Sequence, residues 1–406
     1  MPVPQGSPFP LENLPYGSVV PAGAGDARIG VRLGDHVVDL RALHDAGLLD
    51  VAGVPAEALR HSNIDRLLAL EPPAWAALRS RLRELLGGAG PPAGAVQPLD
   101  AVTMRMPFTV ADYVDFYASE HHAANLGRML RPGEDPLTPN WRHLPIGYHG
   151  RRSTIRVSGA PVARPAGQLP RPGGPVFGPT ERLDIEVELG AVIGGPAGSG
   201  PLGAQEARAR VFGYVIVNDW SARDIQAWEY RPLGPFLGKS FATSISPWVV
   251  TAAALAPQEV PAPPQHPEPL PHLRERDRRV PDIALEVAIA PAGRGPVVVA
   301  RTSARHLYWT VGQQIAHLTS NGCSVSPGDL YASGTISGPG DGERGSLIEL
   351  TWNGAHPIDL GGGVTRTFLE DGDTVTIRGV AGGSAPAIGL GEVVGTIAPQ
   401  APSAPA

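Results

Sequence analysis

The segment LDIEVELG, from Leu183 to Gly190, decides which kind of fold this sequence can adopt. Apolar and acidic residues alternate in it, which is the period-2 pattern of a β-strand with one buried face. The other face has Glu186 and Glu188, with Asp184 beside them. Carboxylates two residues apart on a strand lie roughly 6.5 Å apart. At an effective dielectric constant of about 20 they repel each other by about 2.5 kcal/mol. The segment therefore predicts a strand whose acidic face is unstable without a partner.

A divalent cation between these carboxylates would remove the repulsion. Carboxylate oxygens without cysteine or paired histidines are ligands of Mg²⁺ and Ca²⁺ rather than of zinc. Asp219 ends the apolar segment VFGYVIVND and is a further candidate ligand, because a carboxylate there is costly to bury unpaired. The alternative is a strand whose acidic face is open to solvent and screened. The pattern alone leaves both interpretations open.

The bulk properties of the chain exclude several classes of protein. Its 406 residues favour two domains, and a net charge of −6 with a pI near 6.1 argues against nucleic-acid binding. No apolar run reaches the roughly 18 residues of a membrane helix, and the first residues lack the layout of a signal peptide. We expect no membrane partner and a cytoplasmic location. Cys323, the single cysteine, cannot form an internal disulfide and is expected to be buried.

We expect an N-terminal domain over residues 1–98 and a catalytic domain over residues 99–406. The first contains a hairpin turning at Gly34-Asp35 and a helix from Pro72 with one apolar stripe. That stripe consists of Trp75, Leu78, Leu82 and Leu85. A Gly/Pro/Ala linker, GGAGPPAGAVQP, follows.

The second domain is rich in short strands bounded by glycine and proline, which favours a mainly β fold of the β-roll type. A helix is predicted from Ala304 to Ser320, with Ser303 as its cap. The proline-rich segment 256–281 is predicted to be an exposed loop.

Lys239 is the only lysine in a chain with 32 arginines. Arginine evidently serves wherever a positive charge is needed, so a lone lysine indicates a site that requires a compact ammonium. The alternative is that one lysine remains by chance.

Two further segments suggest chemistry. After Asp219, Ser221 and Asp224 have the spacing of a capping box, which predicts a helix there. On that helix Arg223, Gln226 and Tyr230 share one face. The three side chains on this face either donate hydrogen bonds into a functional site or lie on the solvent-exposed surface.

The other segment is DYVDFYASEHHAANLGRML. In it Asp115 and Tyr117 precede His122, and Arg131 follows directly after the segment, so an acid, a tyrosine, a histidine and an arginine lie close together in sequence, as in an acid–base site. The polar face of an amphipathic helix would show the same residues.

These residues lie within long segments that resemble the fumarylacetoacetase family. The resemblance covers nearly the whole chain, in order and with correct spacing. The matching segments are FPLENLPYG, DFYASEHHAANLGRMLRP, PNWRHLPIGYHGR, LDIEVELG, NDWSARDIQAWEYRPLGPFLGKSF, ASGTISG and SLIELTW.

The resemblance implies a role for each matching residue. The implied cation ligands are Asp115, Glu186, Glu188 and Asp219, with Lys239 and Thr243 near a second, structural magnesium. The implied catalytic residues are His122, the Glu349 that orients it, and the donors Arg223, Gln226 and Lys239. The implied substrate-binding residues are Tyr117, Arg131, Tyr148, Gln226, Tyr230 and Thr335.

The resemblance also implies the fold and the reaction. The fold is a small Src-homology-3-like β-barrel followed by a mixed β-sandwich roll, in a homodimer. The reaction is hydrolysis of 4-fumarylacetoacetate, a 1,3-diketo acid, to fumarate and acetoacetate, the final step of tyrosine and phenylalanine degradation. His122 would deprotonate water, the three donors would stabilise the oxyanion, and Ca²⁺ and/or Mg²⁺ would stabilise the departing enolate.

The sequence departs from the family pattern in two places, and it leaves two alternative functions open. His121 could replace His122, and the segment FATS stands where the family commonly has FGTT. The nearest rival is an acylpyruvate hydrolase or related decarboxylase of the same superfamily, which generally lacks the N-terminal domain. A rival from another class is a non-catalytic binding protein stabilised by a cation.

Overall fold

Short strands dominate the chain, as the alternating segments predicted. A computed structural model describes residues 3–88, 90–382 and 386–400. The strands in these residues are β1 (Tyr16–Pro21), β2 (Arg28–Leu33), β3 (His36–Asp39), β4 (Val96–Pro98), β5 (Val102–Arg105), β6 (Tyr113–Phe116), β7 (Gly147–His149), β8 (Ile155–Val157), β9 (Val162–Ala163), β10 (Ala166–Leu169), β11 (Val176–Pro179), β12 (Leu183–Asp184), β13 (Val187–Ile193), β14 (Val211–Asp219), β15 (Ser221–Ala222), β16 (Thr243–Ile245), β17 (Val250–Thr251), β18 (Glu259–Pro261), β19 (Arg279–Pro281), β20 (Ile283–Ala290), β21 (Val297–Ser303), β22 (Leu330–Ala332), β23 (Ile358–Asp359), β24 (Thr365–Arg366), β25 (Thr374–Ala381) and β26 (Ile388–Ala398). The α-helices are α1 (Leu40–Asp45), α2 (Ala56–Leu59), α3 (Asp65–Leu68), α4 (Pro72–Gly87), α5 (Glu120–Leu130), α6 (Ala204–Arg208), α7 (Arg223–Glu229), α8 (Leu237–Ser240), α9 (Ala252–Leu255), α10 (Val311–Thr319) and α11 (Leu347–Leu350).

The N-terminal region is built on a five-stranded antiparallel sheet in the order β4-β3-β2-β1-β5. The hairpin at Gly34-Asp35 is confirmed, since Leu33 pairs with His36 and Gly34 has a φ of +57°. The helix from Pro72 is also confirmed, with Leu78 and Leu82 buried. Strand β5 belongs to this sheet although it follows residue 98. The division into domains at that residue stays a prediction.

The residues that follow form two larger sheets. One contains eight strands in the order β7-β6-β22-β13-β14-β16-β8, with β17 also paired to β14. The other has the order β21-β20-β25-β26-β9. Tyr214 and Ile216 of β14 share a core with the second sheet, whereas Val215 and Val217 share one with the N-terminal region. Because β14 is buried on both faces, it is a continuous apolar run rather than an alternating one. The predicted mainly β fold is confirmed.

The opening segment forms two strands rather than one. Strand β12 pairs with β15, and the chain is irregular at Ile185 and Glu186 before β13 begins. The acidic face is buried, with Glu186 4% exposed and Glu188 fully enclosed. The alternative of a solvent-screened face is therefore wrong.

The helix predicted from Ala304 to Ser320 is wrong in its first half. Ser303 caps only a short 3₁₀ turn over Ala304–His306, and α10 begins at Val311. The intervening residues are extended because Leu307 bridges Ser119 and the amide of Tyr308 donates to the carbonyl of Ala118. These long-range bonds prevail over local helix propensity.

The cap of α10 is a capping box formed by Thr310 and Gln313. By contrast, the capping box predicted at Ser221 is wrong, although a helix does start there. Ser221 lies in β15 and its hydroxyl donates to the carbonyl of Asp219. Asp224 instead accepts hydrogen bonds from Thr180 and from the amide of Glu181.

Two other expectations need correction. The proline-rich segment 256–281 is packed in part rather than an exposed loop, since β18 pairs with β19 and Leu273 is fully buried. Cys323 is partly exposed rather than buried.

Candidate metal centre and catalytic cavity

Four carboxylates converge on one face of the eight-stranded sheet. Asp115 lies on β6, Glu188 on β13 and Asp219 at the end of β14, while Glu186 immediately precedes β13. Alternation along the strands aims them to the same side, since Asp115 and Tyr113 share a face that is opposite to Val114. One oxygen of each carboxylate lies within 4.8 Å of the others, and all four residues are buried. The structure thus brings together the four ligands expected from the sequence.

The electrostatics of this cluster fit a cation. Both oxygens of Glu188 and Oδ1 of Asp115 are buried without a hydrogen-bond partner among the described residues. Burial, and then the neighbouring carboxylates, raise the pKa of Glu188 and of Asp115 well above their usual ranges. Unpaired buried carboxylates are costly, and an all-oxygen site is suited to a hard divalent ion. The residues present therefore fit such an ion.

Two cationic side chains already pair with part of the cluster. The Lys239 ammonium contacts Glu186 and lies 2.7 Å from Oδ2 of Asp219. Burial alone would lower the pKa of Lys239, but Asp219 and Glu186 outweigh it and raise that pKa. A protonated Nζ has no lone pair to offer a metal. In this arrangement the lone lysine balances charge and is not a metal ligand through its side chain.

Arg223 pairs with the cluster from the other side. Its Nε lies 2.7 Å from Oδ2 of Asp184, and its Nη1 lies 2.7 Å from Oε1 of Glu186. Its Nη2 is buried and has no partner among the described residues. Asp184 is a fifth buried carboxylate, which also accepts from the amides of Leu347 and Ile348. Five carboxylates and two cations leave three negative charges, so a divalent ion would leave one.

A buried histidine–glutamate pair faces the cluster. Ser119 caps α5, which places His122 in the first turn of that helix. Nδ1 of His122 lies 2.6 Å from Oε2 of Glu349. An ionised Glu349 carboxylate has no proton to donate, so it accepts a hydrogen bond from Nδ1–H of His122. The other ring nitrogen of His122, Nε2, is therefore left as the basic nitrogen. His121 instead packs edge-on against His306, with ring centroids 5.9 Å apart.

Glu349 is held by three further donors. Asn125 donates to Oε1 at 2.9 Å, while Ser337 and Ser346 donate to Oε2 at 3.0 and 2.7 Å. Burial raises the pKa of Glu349, but His122 and these hydrogen bonds outweigh it and lower that pKa. The carboxylate is thus kept ionised beside the imidazole.

A cavity of about 320 Å³ joins the carboxylate cluster to the histidine. Its polar wall includes several of the residues expected from the sequence, namely Asp115, Tyr117, His122, Tyr148, Glu186, Arg223, Gln226, Lys239 and Thr335. The hydroxyl of Thr335 is buried without a partner among the described residues. Leu126, Ile146 and Leu233 supply apolar wall. A small polar molecule with an apolar middle fits this lining.

Three expected site residues lie elsewhere or make other contacts. Arg131 donates to the carbonyl of Pro136, and Tyr230 is exposed with its hydroxyl accepting from Arg231. Neither belongs to the cavity wall. Tyr148 does line the cavity, but its hydroxyl donates to Asp115 and Asp219. Their assignment to substrate binding stays a prediction.

Thr243 lies behind the cluster, where its hydroxyl donates to Oδ1 of Asp219 at 3.1 Å. The sequence reasoning did not identify Asn125, Ser337 or Ser346 as residues of the site. Sequence signals exist for two of them, Asn125 and Ser346. Asn125 follows His122 by three residues on one helix, and SLIE has the S-x-x-E spacing that pairs Ser346 with Glu349.

Comparison with known proteins places the chain in a family. Residues 12–107 match the family described as Fumarylacetoacetase N-terminal, and residues 112–398 match Fumarylacetoacetate (FAA) hydrolase C-terminal. The protein belongs to the fumarylacetoacetase family.

Three relatives named fumarylacetoacetase have similar lengths. The Arabidopsis thaliana protein is 46% identical over 98% of this chain and 97% of its own. The Rattus norvegicus and Homo sapiens proteins are 43% and 42% identical, each over 98% of both chains.

Solved structures share the fold at low identity. A fumarylacetoacetate hydrolase from Exiguobacterium antarcticum has a TM-score of 0.55 and 18% identity, covering 95% of this chain and 100% of that one. A maleylpyruvate hydrolase from Sphingobium has a TM-score of 0.54 and 17% identity over the same shares.

Proposed function

We propose that this protein hydrolyses the carbon–carbon bond of 4-fumarylacetoacetate to give fumarate and acetoacetate. The observation that carries the proposal is one cavity whose wall contains His122, the partner of Glu349, together with Asp115 and Glu186 of the four-carboxylate cluster. Relatives of that name over nearly the whole chain support it. The match of residues 12–107 argues against a shorter acylpyruvate hydrolase.

His122 is the proposed general base. Because Glu349 accepts from Nδ1, the free Nε2 takes a proton from water in the cavity. The hydroxide oxygen then bonds to the ketone carbon next to the fumaryl group. The bond between that carbon and the acetoacetate carbon breaks, and the departing carbon takes a proton. Water is thus divided between the two products, and the Glu349 carboxylate stabilises the imidazolium formed on the way.

Donors on the opposite wall stabilise the oxyanion of that addition. Arg223 has a free Nη2, and Gln226 lies one helical turn further along α7, where its Oε1 accepts from Nη1 at 3.2 Å. Lys239 adds positive charge beside them. Such preorganised donors are typically worth about 3–4 kcal/mol of activation free energy each.

Asp115, Glu186, Glu188 and Asp219 would hold the cation, for which we propose Ca²⁺ or Mg²⁺. When bound, it would offset the negative charge of the cluster and stabilise developing negative charge on the diketone oxygens. Thr243 orients Asp219 from behind, and Tyr148 bridges Asp115 and Asp219. We propose that Tyr117 and Thr335 hold the substrate, since both line the cavity.

Association and location are proposed as well. Val176 and Phe177, adjacent on β11, are apolar side chains exposed on the described surface, and this supports the homodimer expected from the family. Light scattering coupled to size exclusion tests it. None of the helices in the described residues is long and apolar enough to span a membrane. A cytoplasmic location stays a prediction, which cell fractionation tests.

Ultraviolet absorbance of 4-fumarylacetoacetate tests the reaction itself. The purified protein should abolish the diketone absorbance, and chelator or His122→Ala should prevent this loss. His121→Ala is the matched control, since it changes the adjacent histidine and should keep activity. Persistence of the absorbance with metal-replete wild type would favour the non-catalytic binding protein.

A further inference from the structure

A second cavity adjoins the catalytic cavity. It has a volume of about 390 Å³ and is lined by the segment 149–153, together with Asp112, Phe236 and Ser240. It shares Tyr148, Pro235 and Lys239 with the catalytic cavity. These three side chains belong to both walls, so the two cavities are adjacent. We call the second cavity the vestibule.

The vestibule is basic, whereas the chain is acidic overall. Arg151, Arg152 and His149 are exposed in it, against the single carboxylate of Asp112. Across residues 3–88, 90–382 and 386–400, no carboxylate lies within 4.0 Å of the guanidinium of Arg151 or of Arg152. Arg152 is anchored by donating to the carbonyl of Val110. The Arg151 side chain makes no hydrogen bond to any other residue that the structure describes, so its donors are open to a ligand.

An anionic substrate needs a positively charged group, such as the guanidinium of Arg151, on its way to the carboxylate cluster. This step rests on the proposed function, whose substrate has a carboxylate at each end. The carboxylate cluster that this substrate must reach has more carboxylates than cations. The Lys239 ammonium and the Nε and Nη1 groups of Arg223 are already paired with those carboxylates. A dianion that approaches this centre is repelled at long range. Positive charge at the entrance offsets that repulsion and raises the rate of capture.

We propose that the vestibule is an anion-recruiting site in which Arg151 binds a carboxylate of the diketo dicarboxylate before it enters the catalytic cavity. Arg151 is a positioning residue here and not a catalytic one. Its effect is on capture, so it appears in kcat/KM and in the salt dependence of kcat/KM, and not in kcat.

Steady-state kinetics with 4-fumarylacetoacetate on the full chain test the proposal. At low ionic strength, Arg151→Gln should lower kcat/KM by about 3- to 10-fold, and in about 0.5 M salt the difference should nearly vanish because screening shortens the range of the field. The value of kcat should stay within about twofold. Arg151→Lys, which keeps the charge, should restore most of kcat/KM.

Arg156→Gln is the matched control. Arg156 is exposed on β8, lies outside the vestibule wall, and changes the net charge equally. An equal fall of kcat/KM in both glutamine variants would overturn the proposal, as would a fall of kcat in Arg151→Gln. Binding of fumarate, measured by equilibrium dialysis at low salt, needs no turnover. It should weaken in Arg151→Gln and not in Arg156→Gln, so the vestibule stays testable if wild type fails to cleave the diketone.

Discussion

Replacing Glu349 by glutamine tests the buried pair proposed to activate water, because it keeps the shape of the side chain and removes its charge. Oε2 accepts from Nδ1 of His122 and from the hydroxyls of Ser337 and Ser346. Oε1 accepts from the amide of Asn125. A glutamine has one accepting oxygen and one donating amide group. In one orientation its NH₂ faces the Asn125 donor, and in the other it faces Nδ1 of His122.

The expected magnitudes follow from these two orientations. Either one leaves a buried donor unsatisfied, which costs about 1–3 kcal/mol of unfolding free energy. Facing His122, the amide also favours the tautomer in which Nε2 is protonated and cannot accept a proton from water. Loss of general-base catalysis is worth about 10²- to 10⁴-fold, or roughly 3–5 kcal/mol of activation free energy. We expect kcat to fall by that factor while KM changes little.

Two assays separate the effects on catalysis and folding. Loss of diketone absorbance gives kcat and KM, and urea denaturation gives the free energy of unfolding. Ser346→Ala is the control, since it removes one hydroxyl from the same carboxylate and keeps its charge. It should cost about 1 kcal/mol of stability and leave kcat within about tenfold. A Glu349→Gln enzyme that is folded and has kcat within threefold of wild type would refute the role of the pair.

Other perturbations have equally definite outcomes. Glu188→Gln removes an unpaired buried charge, so the chelator-treated protein should melt about 2–6 °C higher; a lower melting temperature in calorimetry would contradict the repulsion argument. The pKa of Glu349 is lowered in the folded state, so its stabilisation is present above its ordinary pKa of about 4.3 and is lost as the pH falls through the lower folded value. The gap in unfolding free energy between wild type and Glu349→Gln should therefore shrink as the pH falls below about 4.3, and a constant gap in urea titrations would speak against this linkage. Thr310→Ala removes the cap of α10 and the hydroxyl that donates to Glu275, so it should cost about 1–2 kcal/mol. Ser303→Ala, which removes the cap of a short turn and a 3.2 Å hydrogen bond to Asp282, should cost less, and equal losses in denaturation would argue against that capping assignment.

The central part of the site could be predicted from local sequence because its chemistry is local. The repulsion between Glu186 and Glu188 arises within one short segment, and the polar end of an apolar strand marks Asp219. Both arguments depend on burial, which the structure supplies. The lone lysine was informative for a similar reason, since its ammonium fits between Glu186 and Asp219.

Other features depend on contacts that no local pattern contains. The helix predicted from Ala304 fails because Leu307 and Tyr308 bond to residues nearly two hundred positions away. Asp184 was noticed only as a neighbour of the acidic strand, although it binds Arg223 and two amides of the segment that precedes Glu349. The pairing of Glu349 with His122 spans 227 positions and could be expected only from the family resemblance.

Direct binding of a divalent ion to the chelator-treated protein tests the proposal that four acids from three separated segments of the chain hold a single cation. Isothermal titration with Ca²⁺ and with Mg²⁺ should show one site per chain for at least one of them, and Glu188→Gln should weaken that site by about 10- to 100-fold. Glu286→Gln, at a partly exposed position paired with Arg301, should leave the affinity unchanged. Absence of binding, or binding unaffected by Glu188→Gln, would contradict the proposal.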